Sequence, residues 1–206
     1  ALLFEFSFPA PFTLSTGRQQ RARLIGKPVV RAMLPDHIEL LGLEDIGCHE
    51  DIPETADTIE GNAILKANYV TERFGISCFA DDSGLEVRAL DGAPGVYSAR
   101  YAGPQKNATD NMQKLLAELA QKKDRSAQFK TVLALNLDGQ QQLFTGILPG
   151  TIIGEMRGKN GFGYDPIFRP DGDERTLAEF SMAEKAAISH RGIAVRQLVH
   201  FLKNHC

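Results

Sequence analysis

Phe79-Ala-Asp-Asp-Ser-Gly84 carries two carboxylates, a hydroxyl and a glycine at the end of a short apolar run. Adjacent acids at the end of a buried strand are costly unless a cation or hydrogen-bond donors satisfy them. Neighbouring side chains of an extended chain point to opposite faces, so Asp81 and Asp82 should have two different jobs. One carboxylate would face a Mg²⁺ site and an attacking water while the other supports the turn, and the residues alone do not divide the roles. The bland reading is an Asp-rich turn closed by glycine.

Further groups of the same kind lie along the chain. Glu54 sits in the acidic, polar stretch 50–58, an exposed loop. Lys66 follows inside a helix, either as a solvent lysine or as a phosphate contact aimed toward that loop. The basic run Arg18 to Arg23 comes after Phe12-Thr-Leu-Ser-Thr-Gly17, where cations could meet phosphates, although such runs more often start a solvated helix. Gly158 to Pro166 is a loop of turn-formers holding Phe162 and Asp165. Ser189-His-Arg-Gly192 precedes the last helix; on its own, His190 reads as a core or surface residue.

The elements that must position these groups follow from periodicity and turn chemistry. Phe12–Gly17 is read as a first strand, and Pro28 breaks any helix begun at Gln20. Ile38–Leu43 reads as a short strand, and Ile76–Ala80 as a strand stopped by the turn 81–84. Asp57-Thr-Ile-Glu60 has capping-box spacing and opens a helix to about Phe74, with Ala63, Ala67 and Val70 on one face and Gly75 ending it. Leu85–Leu90 alternates as a half-exposed strand turned by Asp91-Gly92. Thr109 is expected to cap a helix whose apolar stripe is Met112, Leu115, Leu116 and Leu119. Ala127–Leu137 and Gln141–Leu148 flank Asp138-Gly139, a strong hairpin signal. Ser181-Met-Ala-Glu184 repeats the capping-box spacing before Lys185. Val195, Leu198 and Leu202 share a face of the last helix.

At 206 residues, with 43% hydrophobic and 24% charged, the chain fits one large α/β domain or two small lobes. A net charge of −3 argues against nucleic acid or a membrane surface as partner, since both need a basic excess. Three cysteines, Cys48, Cys78 and Cys206, have no metal-ligand spacing and suggest a reducing compartment. No apolar run is long enough to span a membrane, and Ala1–Phe8 lacks the basic leader of a signal peptide. The expected location is cytoplasmic.

Taken together, Glu54-Thr55, Asn62-Ala-Ile-Leu-Lys-Ala67, Phe79-Ala-Asp-Asp-Ser-Gly-Leu85, Gly92–Tyr101, Gly161-Phe-Gly-Tyr-Asp-Pro166 and Glu184-Lys185 with Ile188–Gly192 resemble the inosine triphosphate pyrophosphatase family. The order and spacing match from about residue 36 onward. The resemblance implies a single nucleoside-triphosphate pyrophosphatase domain over 1–206: an elongated mixed β-sheet with flanking helices, two lobes and a central cleft. It also implies a homodimer, Mg²⁺, and hydrolysis of purine triphosphates with a 6-oxo base (dITP, ITP, XTP) to the monophosphate and pyrophosphate. By that likeness Asp82 is the general base and a metal ligand, and Glu54 the other metal carboxylate. Ser83, Lys66, Lys185, His190 and Arg191 contact the substrate, Phe162 and Asp165 handle the base, and Gly163 and Tyr164 are further substrate-binding residues.

The front departs from the family pattern, a strand followed by Thr/Ser-x-x-Asn-x-x-Lys. Thr16-Gly17-Arg18 places Arg18 at the Asn position and Arg21 at the Lys position, so Thr16 and Arg21 are carried as phosphate contacts and Arg18 is not. Residues 1–34 match poorly. Competing readings are a pyrophosphatase for other modified nucleotides, and a nucleotide-binding sensor without turnover. An aspartyl-nucleophile phosphatase fits less well, because Asp81 and Asp82 are adjacent rather than Asp-x-Asp.

Overall fold

A computed structural model describes residues 22–25, 34 and 38–205 of the chain. The expected first strand at 12–17, Pro28, Thr16, Arg21 and Cys206 lie outside those residues. In chain order the elements are β1 (Ala22–Ile25), β2 (Ile38–Leu41), α1 (Ile59–Phe74), β3 (Cys78–Val87), β4 (Pro94–Gly95), α2 (Ala108–Glu118), β5 (Ser126–Leu137), β6 (Gln140–Ile152), β7 (Phe168–Pro170), α3 (Met182–Ile188) and α4 (His190–His205).

Parallel and antiparallel pairings both occur, as the α/β expectation required, and among the described residues they fall in two sheets. β1 and β2 pair in parallel, with Ala22 opposite Ile38. The other five strands form a sheet in the order β4-β3-β5-β6-β7, with β3/β4 and β6/β7 antiparallel. β5 and β6 form the predicted hairpin. Its turn residues Asp138 and Gly139 have φ of 49° and 76°, the positive pair that a two-residue turn needs to match strand twist.

Several local expectations change. β3 does not stop at Ala80 but runs through Asp81, Asp82 and Ser83 to Val87. Turn propensity loses because partners on α1 and β5 satisfy the polar side chains of 82 and 83 in extended form. Arg88–Leu90 is a 3₁₀ turn instead of the end of a strand. Thr58, not Asp57, caps α1, its hydroxyl accepting from the Gly61 N–H. Position N3 is then a glycine, so no capping box forms. Asn107, not Thr109, caps α2 by accepting from the N–H groups of Thr109 and Asp110. The box at Ser181/Glu184 forms as expected.

The chain divides into two compact units. The first holds residues 83–131 and 145–194. Its core gathers Leu85, Val87, Met112, Leu115, Leu119, Phe129, Ile152, Ile167 and Phe168, so the α2 stripe read from the sequence is core, with Leu116 only partly buried. Truncating a fully buried leucine such as Leu115 to alanine typically costs about 2–5 kcal/mol. The second unit includes the described residues up to Asp82, together with 132–144 and 195–205. Ala63, Ala67 and Val70 of α1, Phe79 of β3, Leu133 and Leu135 of β5, and Leu198 and Leu202 of α4 are all buried there. Phe144 and Phe201 meet ring to ring at 5.5 Å. No helix among the described residues is long and apolar enough to cross a membrane.

Candidate active site

In the second unit the site begins with α1. Ile59, Asn62, Ala63, Lys66, Ala67 and Val70 are its buried residues, so Lys66 lies within the apolar stripe and not on the solvent face. Its side chain is 0% exposed, and Nζ donates to Glu54 Oε1 and to Asp82 Oδ1, each at 3.0 Å. A buried ammonium needs such partners, because its desolvation is otherwise uncompensated. Asn62, buried beside it, donates from Nδ2 to Asp82 Oδ2 at 3.4 Å and accepts from the Ala56 N–H at 2.9 Å. Asn62 thereby ties the loop of Glu54 to the carboxylate of Asp82. Burial raises the pKa of Asp82 above the ordinary aspartate value, with the Lys66 charge working against it. The result is a carboxylate more basic than a solvent-exposed one.

Replacing Lys66 with methionine would leave Glu54 and Asp82 facing each other without their cation. The expected loss is about 3 kcal/mol of unfolding free energy at pH 7. Urea denaturation measures it, and a variant as stable as the parent would rule out the buried triad.

In the first unit, Ser83 Oγ lies 2.6 Å from Thr131 Oγ1 and accepts from Arg191 Nη2 at 3.1 Å. Arg191 is the second residue of α4, whose first turn is held by Ser189 Oγ accepting from the Gly192 N–H. The loop 158–166 is organised by Asp165. Its Oδ2 accepts from the Phe162 N–H at 2.8 Å and from Lys185 Nζ. Gly161 has φ of +80°, and a Cβ there would lie 2.1 Å from Asp165 Oδ2, so the clasp requires glycine. Phe162 is 64% exposed, with Lys185 Nζ 4.5 Å from its ring centroid. Gly163, also at positive φ, follows it.

Two residues expected to bind substrate make contacts within the protein. Tyr164 is buried in the core and donates its hydroxyl to the Ser98 carbonyl at 2.9 Å. Asp165 spends one carboxylate oxygen on the loop and Lys185. His190 is a buried ring stacked on Phe129 at 4.9 Å and 11°, with Nδ1 lacking a hydrogen-bond partner among the described residues. Burial, then the charges of Arg191 and Lys185, push its pKa from 6.5 down to about 3.

An imidazole depressed this far is neutral in the folded state at pH 5, whereas the unfolded chain takes up a proton below about 6.5. The stability this group contributes is therefore fully present above 6.5 and lost as pH falls, by about 1.4 kcal/mol per unit. His190→Phe should flatten that part of the slope between pH 6.5 and 5 in urea titrations. An NMR titration of His190 centred near pH 6.5 would contradict the assignment.

Asn62 and Thr131 carry only one signal in the sequence, a polar residue at a buried register position: Asn62 on the α1 stripe, Thr131 in the apolar run of β5. Among the described residues no group of three or more His, Cys, Asp or Glu could hold a metal. Glu54 and Asp82, both bonded to Lys66 Nζ, are the carboxylates that could hold Mg²⁺. That ion takes one or two carboxylates and completes its shell with water and phosphate oxygens.

Residues 17–201 match the Ham1 family. The dITP/XTP pyrophosphatase of Flavobacterium psychrophilum is 62% identical over 175 residues, covering 85% of this chain and 92% of that protein. The protein of that name from Bacillus licheniformis is 47% identical, covering 82% and 88%. Among solved structures, the Staphylococcus aureus Ham1 protein superposes with a TM-score of 0.84 at 38% identity, covering 89% of this chain and 99% of that one. The Ham1 protein from Coxiella burnetii gives 0.83 at 40%, covering 88% and 98%. With its buried Lys66–Asp82 pair set in a fold shared with these proteins, the chain belongs to the Ham1 family.

Proposed function

We propose that this chain is a nucleoside-triphosphate pyrophosphatase that hydrolyses dITP, ITP and XTP to the monophosphate and pyrophosphate. The observation that carries the reading is the buried set Glu54–Lys66–Asp82, in a chain 62% identical to a protein named dITP/XTP pyrophosphatase. Water attacks the α-phosphorus, the bond to the bridging oxygen breaks, and pyrophosphate leaves. Asp82, made more basic by burial, accepts the proton of that water. Lys66 and Arg191 provide positive charge for the triphosphate, Ser83 a hydroxyl, and Phe162 with Lys185 a face and a cation for the base. Glu54 and Asp82 would hold Mg²⁺, which when bound neutralises phosphate charge.

The reading extends to a homodimer, as the family resemblance implies, and to the cytoplasm. The deciding experiment is pyrophosphate release from ITP, XTP, GTP and ATP, with and without Mg²⁺. Release from ITP and XTP that stops in EDTA is the expected result. Tight ITP binding with no release under any condition would reject the enzyme.

A further inference from the structure

Thr131 is fully buried in β5, in a run continued by Val132, Leu133, Ala134 and Leu135, all equally buried. A valine would fill the same volume with no hydroxyl to take out of water, so a threonine there calls for a reason. Its hydroxyl lies 2.6 Å from Ser83 Oγ. A hydroxyl has one proton and two acceptor lone pairs. Ser83 already accepts from Arg191 Nη2, and a guanidinium can only donate.

We infer that Thr131 is a positioning residue for triphosphate binding, acting through its hydroxyl contact with Ser83 Oγ. Ser83 Oγ sits between Thr131 Oγ1 and Arg191 Nη2. The same contacts fix the Ser83 hydroxyl and the Arg191 head, so a single buried hydroxyl orders two groups that meet the substrate. This rests on the proposed role of Ser83 and Arg191 at the triphosphate. The competing account is a cross-strand Thr–Ser pair that only steadies the sheet.

The test compares Thr131→Val and Thr131→Ser, alone and in a Ser83→Ala background. The readouts are kcat and KM for ITP, and calorimetric Kd for the α,β-methylene analogue of ITP, which cannot release pyrophosphate. Loss of the buried Thr131–Ser83 hydrogen bond predicts that Thr131→Val raises KM and Kd about tenfold, with kcat within about twofold. Thr131→Ser should restore both constants. In the Ser83→Ala background, Thr131→Val should change neither, since it acts only through Ser83. A Thr131→Val protein with reduced Tm but parental KM and Kd overturns the inference, as does an equal loss with Ser83 already absent. If the parent binds the analogue but releases no pyrophosphate from any triphosphate, the hydrolase reading fails, and the analogue titration still decides Thr131.

Discussion

Asp82→Asn is expected to lower kcat for pyrophosphate release from ITP by about 10²–10⁴, the usual cost of losing a general base, while the protein remains folded. The side chain is 6% exposed, and asparagine has nearly the same shape. Its amide oxygen can still accept from Lys66, and Lys66 keeps Glu54 as a charged partner. What is lost is the ability to take a proton from water, so the effect should fall on kcat more than on KM. Asp81, buried on the opposite face of β3, provides the control: Asp81→Asn should harm the protein through stability before chemistry. Circular dichroism and steady-state kinetics on both variants separate the outcomes. Near-parental kcat in Asp82→Asn would move the base elsewhere.

This contrast also shows where local sequence signals stop. Asp81-Asp82-Ser83-Gly84 has the composition of a turn, and an isolated peptide would be read as one. It is extended because Lys66 and Asn62, sixteen and twenty residues away, reach Asp82, and because Thr131, forty-eight away, reaches Ser83. Turn propensity is worth little against several buried hydrogen bonds that exist only in strand form. Lys66 was ambiguous for a related reason. Helical spacing places it near both Ala63 and solvent, and only the lining of the stripe by Asn62 hinted that this face was polar at one end. The cap at Asn107 is ambiguous in the sequence because Thr109, two positions on, is also a cap-forming residue. By contrast, the hairpin at Asp138-Gly139, the box at Ser181/Glu184 and the apolar faces of α1, α2 and α4 were legible, because each is decided within one turn or one helical period. The site expectations rest instead on six short motifs in family order. Tyr164, inside one of them, is buried and bonded to the Ser98 carbonyl, a placement no local signal gives.

The second large effect is selection by base edge, with kcat/KM for ITP and XTP expected to exceed that for ATP by a factor approaching about 10⁴. Hypoxanthine and xanthine present an acceptor at C6 and an N1–H donor, whereas adenine presents an amino donor and an N1 acceptor. Phe162, largely exposed, offers a face on which any purine can stack. Lys185 Nζ stands over that ring at 4.5 Å and can only donate. A 6-oxo group brought to the ring gains from this ammonium, while a 6-amino group meets a donor with a donor and leaves buried polar groups unpaired. Asp165, holding Lys185 and the Phe162 N–H together, keeps the cation in register with the ring. Guanine shares the 6-oxo edge, so its rejection must come from crowding at the 2-amino group, and GTP should fall below ITP by a smaller factor. Phe162→Ala should then raise KM for every purine alike, because stacking does not read the edge. Asp165→Ala should narrow the ITP-to-ATP ratio, because it frees Lys185 and the loop. Steady-state kinetics with the four triphosphates on the parent and both variants give all of these ratios. Equal kcat/KM for ITP, GTP and ATP in the parent protein would reject edge selection even if pyrophosphate were released from each.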